Sequence, residues 1–181
     1  METLTIVLTG GRSTRMGGRH KPALLVGGSS IVDRAVAAAP GRVVIAGSGE
    51  GLTLPGVDVV REDPPFAGPV AGVAAALSCV APGARTVLLL GGDMPFLDAD
   101  FLAQLTAETP AIARDDAGRD QYLCAAWPEE TLRRRLAEIG DPANVPVRRL
   151  YEGVAFQAFD APAGSVRDVD SPEDLAGLDD G

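Results

Sequence analysis

Between Leu8 and Pro22 the chain reads LTGGRSTRMGGRHKP, which sets Gly10, Gly11, Gly17 and Gly18 among Arg12, Arg15, Arg19 and Lys21. Glycines let the backbone turn tightly and expose its N–H groups, and the four cations add positive charge. A segment of that kind suits a phosphate-bearing ligand; a solvated surface loop is the competing reading. The spacing is not that of a Walker A loop, because no Gly-Lys-Ser/Thr follows at the required distance. Nor does it match Gly-x-Gly-x-x-Gly, which disfavours a dinucleotide cofactor.

A second candidate is Gly91-Gly92-Asp93-Met94-Pro95, directly after the apolar run TVLLL. A carboxylate at the end of a buried strand is well placed to hold Mg²⁺, which takes carboxylates together with phosphate oxygens. Asp93 alone could equally serve as a turn or cap residue. The Pro/Gly-rich stretch from Arg61 to Pro69 contains Glu62 and Asp63 and leads to a helix start. The unpaired amides there accept anions, though a rigid connector is an equal alternative. Asp168 or Asp170, just before a capped helix, could supply a second metal ligand or form a solvated acidic pair. Bland roles are expected for Trp127 (core or rim packing), His20 (surface), Arg133 to Arg135 (a solvated helix face) and Cys79 and Cys124 (small buried apolar groups). One His in a glycine loop supports neither a Ser-His-Asp nor a Cys-His arrangement.

The elements that position these residues follow from apolar periodicity. Strands are expected at Leu4–Leu8, Arg42–Ala46 and Thr86–Leu90, with Val57–Val60 as a further core strand. Helices are expected from Ser30 to Ala39, from Pro69 to about Val80 and from Asp98 to about Glu108. Ala111–Arg114 and Gln121–Trp127 read as a strand pair around an Asp-Asp-Ala-Gly turn. Pro128 opens a helix to about Ile139, Asn144–Tyr151 suggests another, and Val154–Phe159 a strand. Ser171-Pro172-Glu173-Asp174 carries the signature of a last helix start. Strands alternating with helices in this way predict a three-layer α/β fold around a mostly parallel, mixed sheet. In such sheets ligands lie beyond the carboxyl ends of the strands, so the loops containing Gly10–Lys21, Glu62–Gly72 and Gly91–Pro95 should face one crevice.

The chain has 181 residues, 46% apolar and 23% charged, a size and balance that predict one globular domain over 1–181. Its net charge of −9 argues against broad nucleic-acid or anionic-membrane surfaces while leaving room for a small anion held locally. Two cysteines and one histidine exclude a disulfide scaffold and speak against zinc. No basic n-region precedes the first apolar run and no run spans a bilayer, so a cytoplasmic protein is expected.

Taken together, LxGGxSxRMG followed by Lys21, the Glu-Asp…Gly-Pro-x-Ala-Gly segment, and Asp-Met-Pro resemble the molybdenum cofactor guanylyltransferases. Those enzymes sit within a wider group of nucleotidyltransferases with a Rossmann-like fold. The closing Asp-x-Asp-Ser-Pro-Glu-Asp-Leu is similar to a motif shared across that group. The resemblance implies Mg²⁺-dependent transfer of GMP from GTP to the terminal phosphate of molybdopterin, with release of pyrophosphate. It implies that Leu8, Gly10 and Gly11 approach guanine and ribose, that Asp63 lines the nucleotide site, and that Arg15 and Lys21 neutralise the phosphates. Asp93 would hold Mg²⁺, with Asp170 as a second ligand. Gln121 to Trp127 and Arg148 or Arg149 are guesses for the acceptor side. Molybdoenzymes or cofactor-insertion proteins are the protein partners implied, for a monomer or weak homo-oligomer. Two departures stand out: His20 replaces the family's usual Asp, and Asp168 and Asp170 stand where guanylyl enzymes usually carry Asn. Those acids are more like the cytidylyl relatives, whereas Gly10-Gly11 favours a purine. Transfer from CTP or to another small phosphate therefore remains the alternative, followed by a non-catalytic binding protein.

Overall fold

A computed structural model of the chain describes residues 3–10 and 20–169. Strand β1 (Thr3–Leu8) is followed by a 3₁₀ turn at Lys21–Ala23 and a small hairpin of β2 (Leu25–Val26) and β3 (Ser29–Ser30). Then come α1 (Ile31–Ala38), β4 (Arg42–Ala46), β5 (Asp58–Val60), α2 (Pro69–Ser78), β6 (Thr86–Gly91) and α3 (Ala99–Ala107). The second half adds β7 (Ala111–Arg114), β8 (Asp120–Pro128), α4 (Glu129–Ile139), α5 (Arg148–Tyr151) and β9 (Gln157–Asp160). Seven strands form one sheet in the order β5-β4-β1-β6-β8-β7-β9. Strand β8 runs antiparallel to both of its neighbours, and every other pairing is parallel.

Strand side chains alternate between two faces, and here both faces are covered, which is why the central strands are apolar throughout. Leu4, Ile6, Val44, Val87 and Leu89 pack under Val70, Val73 and Leu77 of α2, Leu132 of α4 and Leu150 of α5. Val7, Val43, Ile45, Leu88 and Leu90 pack on the other face against Val32 of α1 and Phe101, Leu102 and Leu105 of α3. Thr5, buried among them, donates its hydroxyl to the Pro40 carbonyl at 2.7 Å, so its own polar group is satisfied. Side-chain caps open α1 and α3 as their sequences predict. Ser30 Oγ accepts from Asp33 N–H at 3.1 Å, and Asp98 Oδ1 from Phe101 N–H at 2.8 Å.

Several expectations change. Strand β5 lies at a sheet edge with Val59 45% exposed, so it is not a core strand: among the described residues nothing pairs with its outer side. The helix expected over Asn144–Tyr151 shrinks to Arg148–Tyr151, because Asn144 takes a positive φ of 58° and Pro146 interrupts the ladder. The last strand begins at Gln157 rather than Val154. Arg133 and Arg135 are not a solvated face: their guanidiniums donate to Leu77 O and Val80 O and to Leu150 O and Arg149 O, which tie α4 to α2 and α5. Only Arg134 of that run is mostly exposed. Cys79 is exposed at the end of α2, whereas Cys124 is buried in β8. Trp127 is fully buried, edge-on to Tyr151 and Phe156 with ring centres 4.8 and 4.6 Å away. Among the described residues no helix is long and apolar enough to cross a membrane.

Candidate active site

From β1 the chain steps outward through β4 to β5, and α2 then carries it back to β6 on the opposite side of β1. The carboxyl ends of β1 and β6 thus lie at a topological switch point, where the flanking loops diverge and leave a crevice. Leu8 and Gly91 are register partners there, and Gly92 N–H donates to Leu8 O at 2.9 Å. The loops that begin at Thr9 and Gly92 consequently leave the sheet side by side.

A cavity of about 320 Å³ opens between them. Leu8 and Gly10 line it from the end of β1, Ala46 from β4, Gly72 from α2 and Asp93 from the loop after β6. Glu62, Phe66 and Gly68 line it from the loop after β5, Pro69 from the start of α2, and Leu123 from β8. Two glycines make this geometry feasible. A Cβ on Gly72 would stand 2.9 Å from Leu8 Cδ2, so a side chain there would push Leu8 out of its place in the lining. A Cβ on Gly91 would meet Asp93 Oδ1 at 2.9 Å, so the residue that ends β6 leaves room for that carboxylate.

Backbone hydrogen bonds hold the walls. Thr9 N–H donates to Ala46 O at 3.0 Å and its hydroxyl to Ser48 O at 2.8 Å. Glu62, 8% exposed, accepts the Phe66 N–H at 3.1 Å and sits against Gly10. Arg34 of α1 donates to Pro95 O at 2.8 Å and lies over the Phe96 ring, 5.7 Å from its centre, so α1 steadies the loop that carries Asp93.

The expected site residues divide. Leu8, Gly10 and Asp93 come together at the cavity, drawn from two loops that are some eighty residues apart in sequence. Lys21 starts the half-buried 3₁₀ turn. Asp63 is exposed, and its neighbour Glu62 lines the cavity instead. Gly11, Arg15 and Asp170 lie outside the described residues. Asp168 faces away: it lines a separate polar cleft beside the Asp115–Arg119 turn. There Arg119 is held above its ordinary pKa by its hydrogen bond to Asp115, by that residue's charge and by Asp168. Arg148 and Arg149 are exposed on α5 and do not line the cavity; of the strand from Gln121 to Trp127, Leu123 does. His20 encloses its Nε2 without a partner, and that burial, aided by Arg61 and opposed by Glu50, lowers its pKa and favours the neutral ring. Glu62 and Gly72 had a signal in the sequence, an acid two residues past β5 and a small residue one helical turn past Gly68. Leu123 falls within the Gln121–Trp127 strand named for the acceptor side, and its place at this cavity follows from β8 pairing antiparallel with β6.

A carboxylate at a switch point, beside a glycine-lined wall, can bind a polyphosphate ligand through one metal ion. Among the described residues no three His, Cys, Asp or Glu side chains gather as a metal cage. That donor set fits Mg²⁺, which keeps several waters and binds through one or two carboxylates plus substrate phosphates.

Comparison with known proteins agrees with this fold. Residues 5–158 match the family model described as the MobA-like NTP transferase domain. A molybdenum cofactor guanylyltransferase of Rhodobacter capsulatus is 34% identical over 187 residues, covering 99% of this chain and 96% of that protein. Among solved structures, a nucleotidyl transferase from Methanothermobacter superposes with a TM-score of 0.79 at 20% identity, covering 99% of this chain and 97% of that one. A Mycobacterium tuberculosis protein solved in complex with manganese superposes with a TM-score of 0.72 at 23% identity, each chain 98% covered.

Proposed function

The chain belongs to the MobA-like NTP transferase family, and from that premise we propose that it is a molybdenum cofactor guanylyltransferase, transferring GMP from GTP to the terminal phosphate of molybdopterin. The acceptor phosphate oxygen bonds to the α-phosphorus, the α–β phosphoanhydride breaks, and pyrophosphate leaves. The observation that carries this reading is the convergence of Leu8, Gly10 and Asp93 on one cavity at the switch point.

Such a reaction needs positioning and charge neutralisation more than a covalent nucleophile. Gly10 would offer a surface without a side chain against base and ribose, with Leu8, Gly11 and Asp63 beside it. Lys21 and Arg15 would balance the negative charge of the triphosphate and the departing pyrophosphate. Asp93, with Asp170, would hold Mg²⁺, which supplies a Lewis acid for the phosphate oxygens. The whole of 1–181 would act as one cytoplasmic nucleotidyltransferase domain on small-molecule substrates. It would work as a monomer or weak homo-oligomer and hand its product to molybdoenzymes or insertion proteins.

The test is calorimetric titration of the full-length protein with GTP, CTP, ATP and UTP in the presence of Mg²⁺, followed by turnover with molybdopterin. Selective GTP binding is expected. Asp93→Ala should lower turnover by about a hundredfold or more, roughly 3 kcal/mol of transition-state stabilisation. A preference for CTP would instead place the protein with the cytidylyl enzymes, which the acids at Asp168 and Asp170 resemble. Binding of none of the four would overturn the assignment.

A further inference from the structure

Among the described residues, the two non-glycine positions with a positive φ are Phe66, at 64°, and Asn144, at 58°. A bulky residue in the left-handed region is uncommon, and such strain persists only where its surroundings over-determine it. Here they do so from two directions. The carboxylate of Glu62 accepts the Phe66 N–H at 3.1 Å, and Asn144 N–H donates to the carbonyl of Ala67, one residue on, at 2.6 Å. The turn is therefore clamped between a buried acid of its own loop and the segment that joins α4 to α5. The clamp does not bury the ring. Phe66 is 56% exposed and lines the mouth of the cavity that also holds Leu8, Gly10 and Asp93.

A phenyl ring left half-exposed, on a strained backbone, in the lining of a cavity for a flat heteroaromatic ligand points to a role in that site. We propose that Phe66 is a specificity-determining residue whose ring forms the wall on which the nucleobase of the bound nucleotide stacks, with Glu62 and Asn144 as its positioning residues. The inference rests on the nucleotide reading given above. Stacking recognises a planar base and ignores the triphosphate, whereas Lys21 and Asp93 would do the reverse. The base would then stack on the loop after β5, across from Leu8 and Gly10, while Lys21 and Asp93 meet the phosphates.

The experiment measures dissociation constants of GTP and of inorganic tripolyphosphate, with Mg²⁺, for the full-length wild type and for Phe66→Ala, Phe66→Leu and Phe66→Trp. Stacking on an aromatic side chain predicts a GTP affinity loss of roughly tenfold or more in Phe66→Ala. Phe66→Leu should remain weak, Phe66→Trp should recover, and tripolyphosphate should bind all four proteins alike. GTP should also quench the new indole at position 66 in Phe66→Trp, against the buried Trp127 as internal reference. Unchanged GTP affinity in Phe66→Ala overturns the stacking role while sparing the nucleotide reading, and a raised molybdopterin KM in that variant would place the acceptor's ring there instead. Parallel loss of GTP and tripolyphosphate overturns it as well, since only the loop's shape would then be at stake. A wild type that binds tripolyphosphate but no better GTP overturns both readings.

Discussion

Val169 donates its backbone N–H to the carbonyl of Asp93 at 3.0 Å, which stitches the end of the described chain to the loop that leaves β6. Val169 is 2% exposed and packs with Val26 and Ile31, against Leu24 and Phe96. The Asp93 loop is thus held from one side by this bond and from the other by Arg34.

Val169→Pro removes that donor while keeping an apolar side chain. We expect a stability loss of about 1 kcal/mol, a fall of roughly 2–4 °C in Tm. Turnover should fall by much more than that loss implies, because Asp93 loses its orientation. Thermal melting and steady-state kinetics on the same preparation check this; unaltered kcat would mean the stitch is only structural.

Gly91→Ala introduces a Cβ 2.9 Å from Asp93 Oδ1 and 3.3 Å from Met94 Cε. The carboxylate must shift, whereas the β6 backbone need not. The variant should therefore fold, bind nucleotide in the absence of metal as the wild type does, and lose Mg²⁺-dependent affinity. Titrations with and without Mg²⁺ distinguish this from general damage, which would lower both.

Acid should loosen α1 from the loop before β5. Burial works against the charge of Asp33, but hydrogen bonds from the Thr53 hydroxyl and N–H and from Leu54 N–H outweigh it and hold the carboxyl below its ordinary 3.8. Glu129 is likewise lowered: burial opposes its charge, and bonds from Gly83 N–H and Arg133 overcome it. A depressed folded pKa contributes stability that is present above the ordinary carboxylate range and lost as pH falls through the folded value. Tm should therefore fall steeply below about pH 4. In Asp33→Asn the protein should be less stable at neutral pH, yet its Tm should depend less on acid. An unaltered acid slope would contradict the assignment.

The two thiols should differ sharply. Cys79 is exposed at the end of α2, while burial pushes the Cys124 thiol up to about 12. Iodoacetamide at pH 8 should modify Cys79 in the native protein and Cys124 only after denaturation, as peptide mass mapping would show.

Much of this architecture is visible in local patterns. Arg42–Ala46 begins and ends as its apolar run does, because both faces of β4 are covered and the run stops where the cover stops. Ser30 and Asp98 announce their helices through hydrogen bonds that close within a few residues. Where the pattern misleads, a distant contact decides. Arg133 looks solvated until α2 ends beside it, and Val57–Val60 looks like core until the sheet stops there.

The chemistry was local to the sequence in the same sense. Glycines with cations in one loop, and an acid after a buried strand, point to a phosphate-bearing ligand because each reflects the bonding capacity of a short segment, while a solvated loop and a turn acid stay open on the sequence alone. The tertiary structure alone decided that β6 pairs with β1, which places Leu8 opposite Gly91 and lets Asp93 face the cavity. It also put Glu62 rather than Asp63 at the wall, and fastened Ala67 to Asn144 across seventy-seven residues. Pairing across such separations depends on which faces bury most apolar surface together, a property of the whole packed chain and of no single stretch of it.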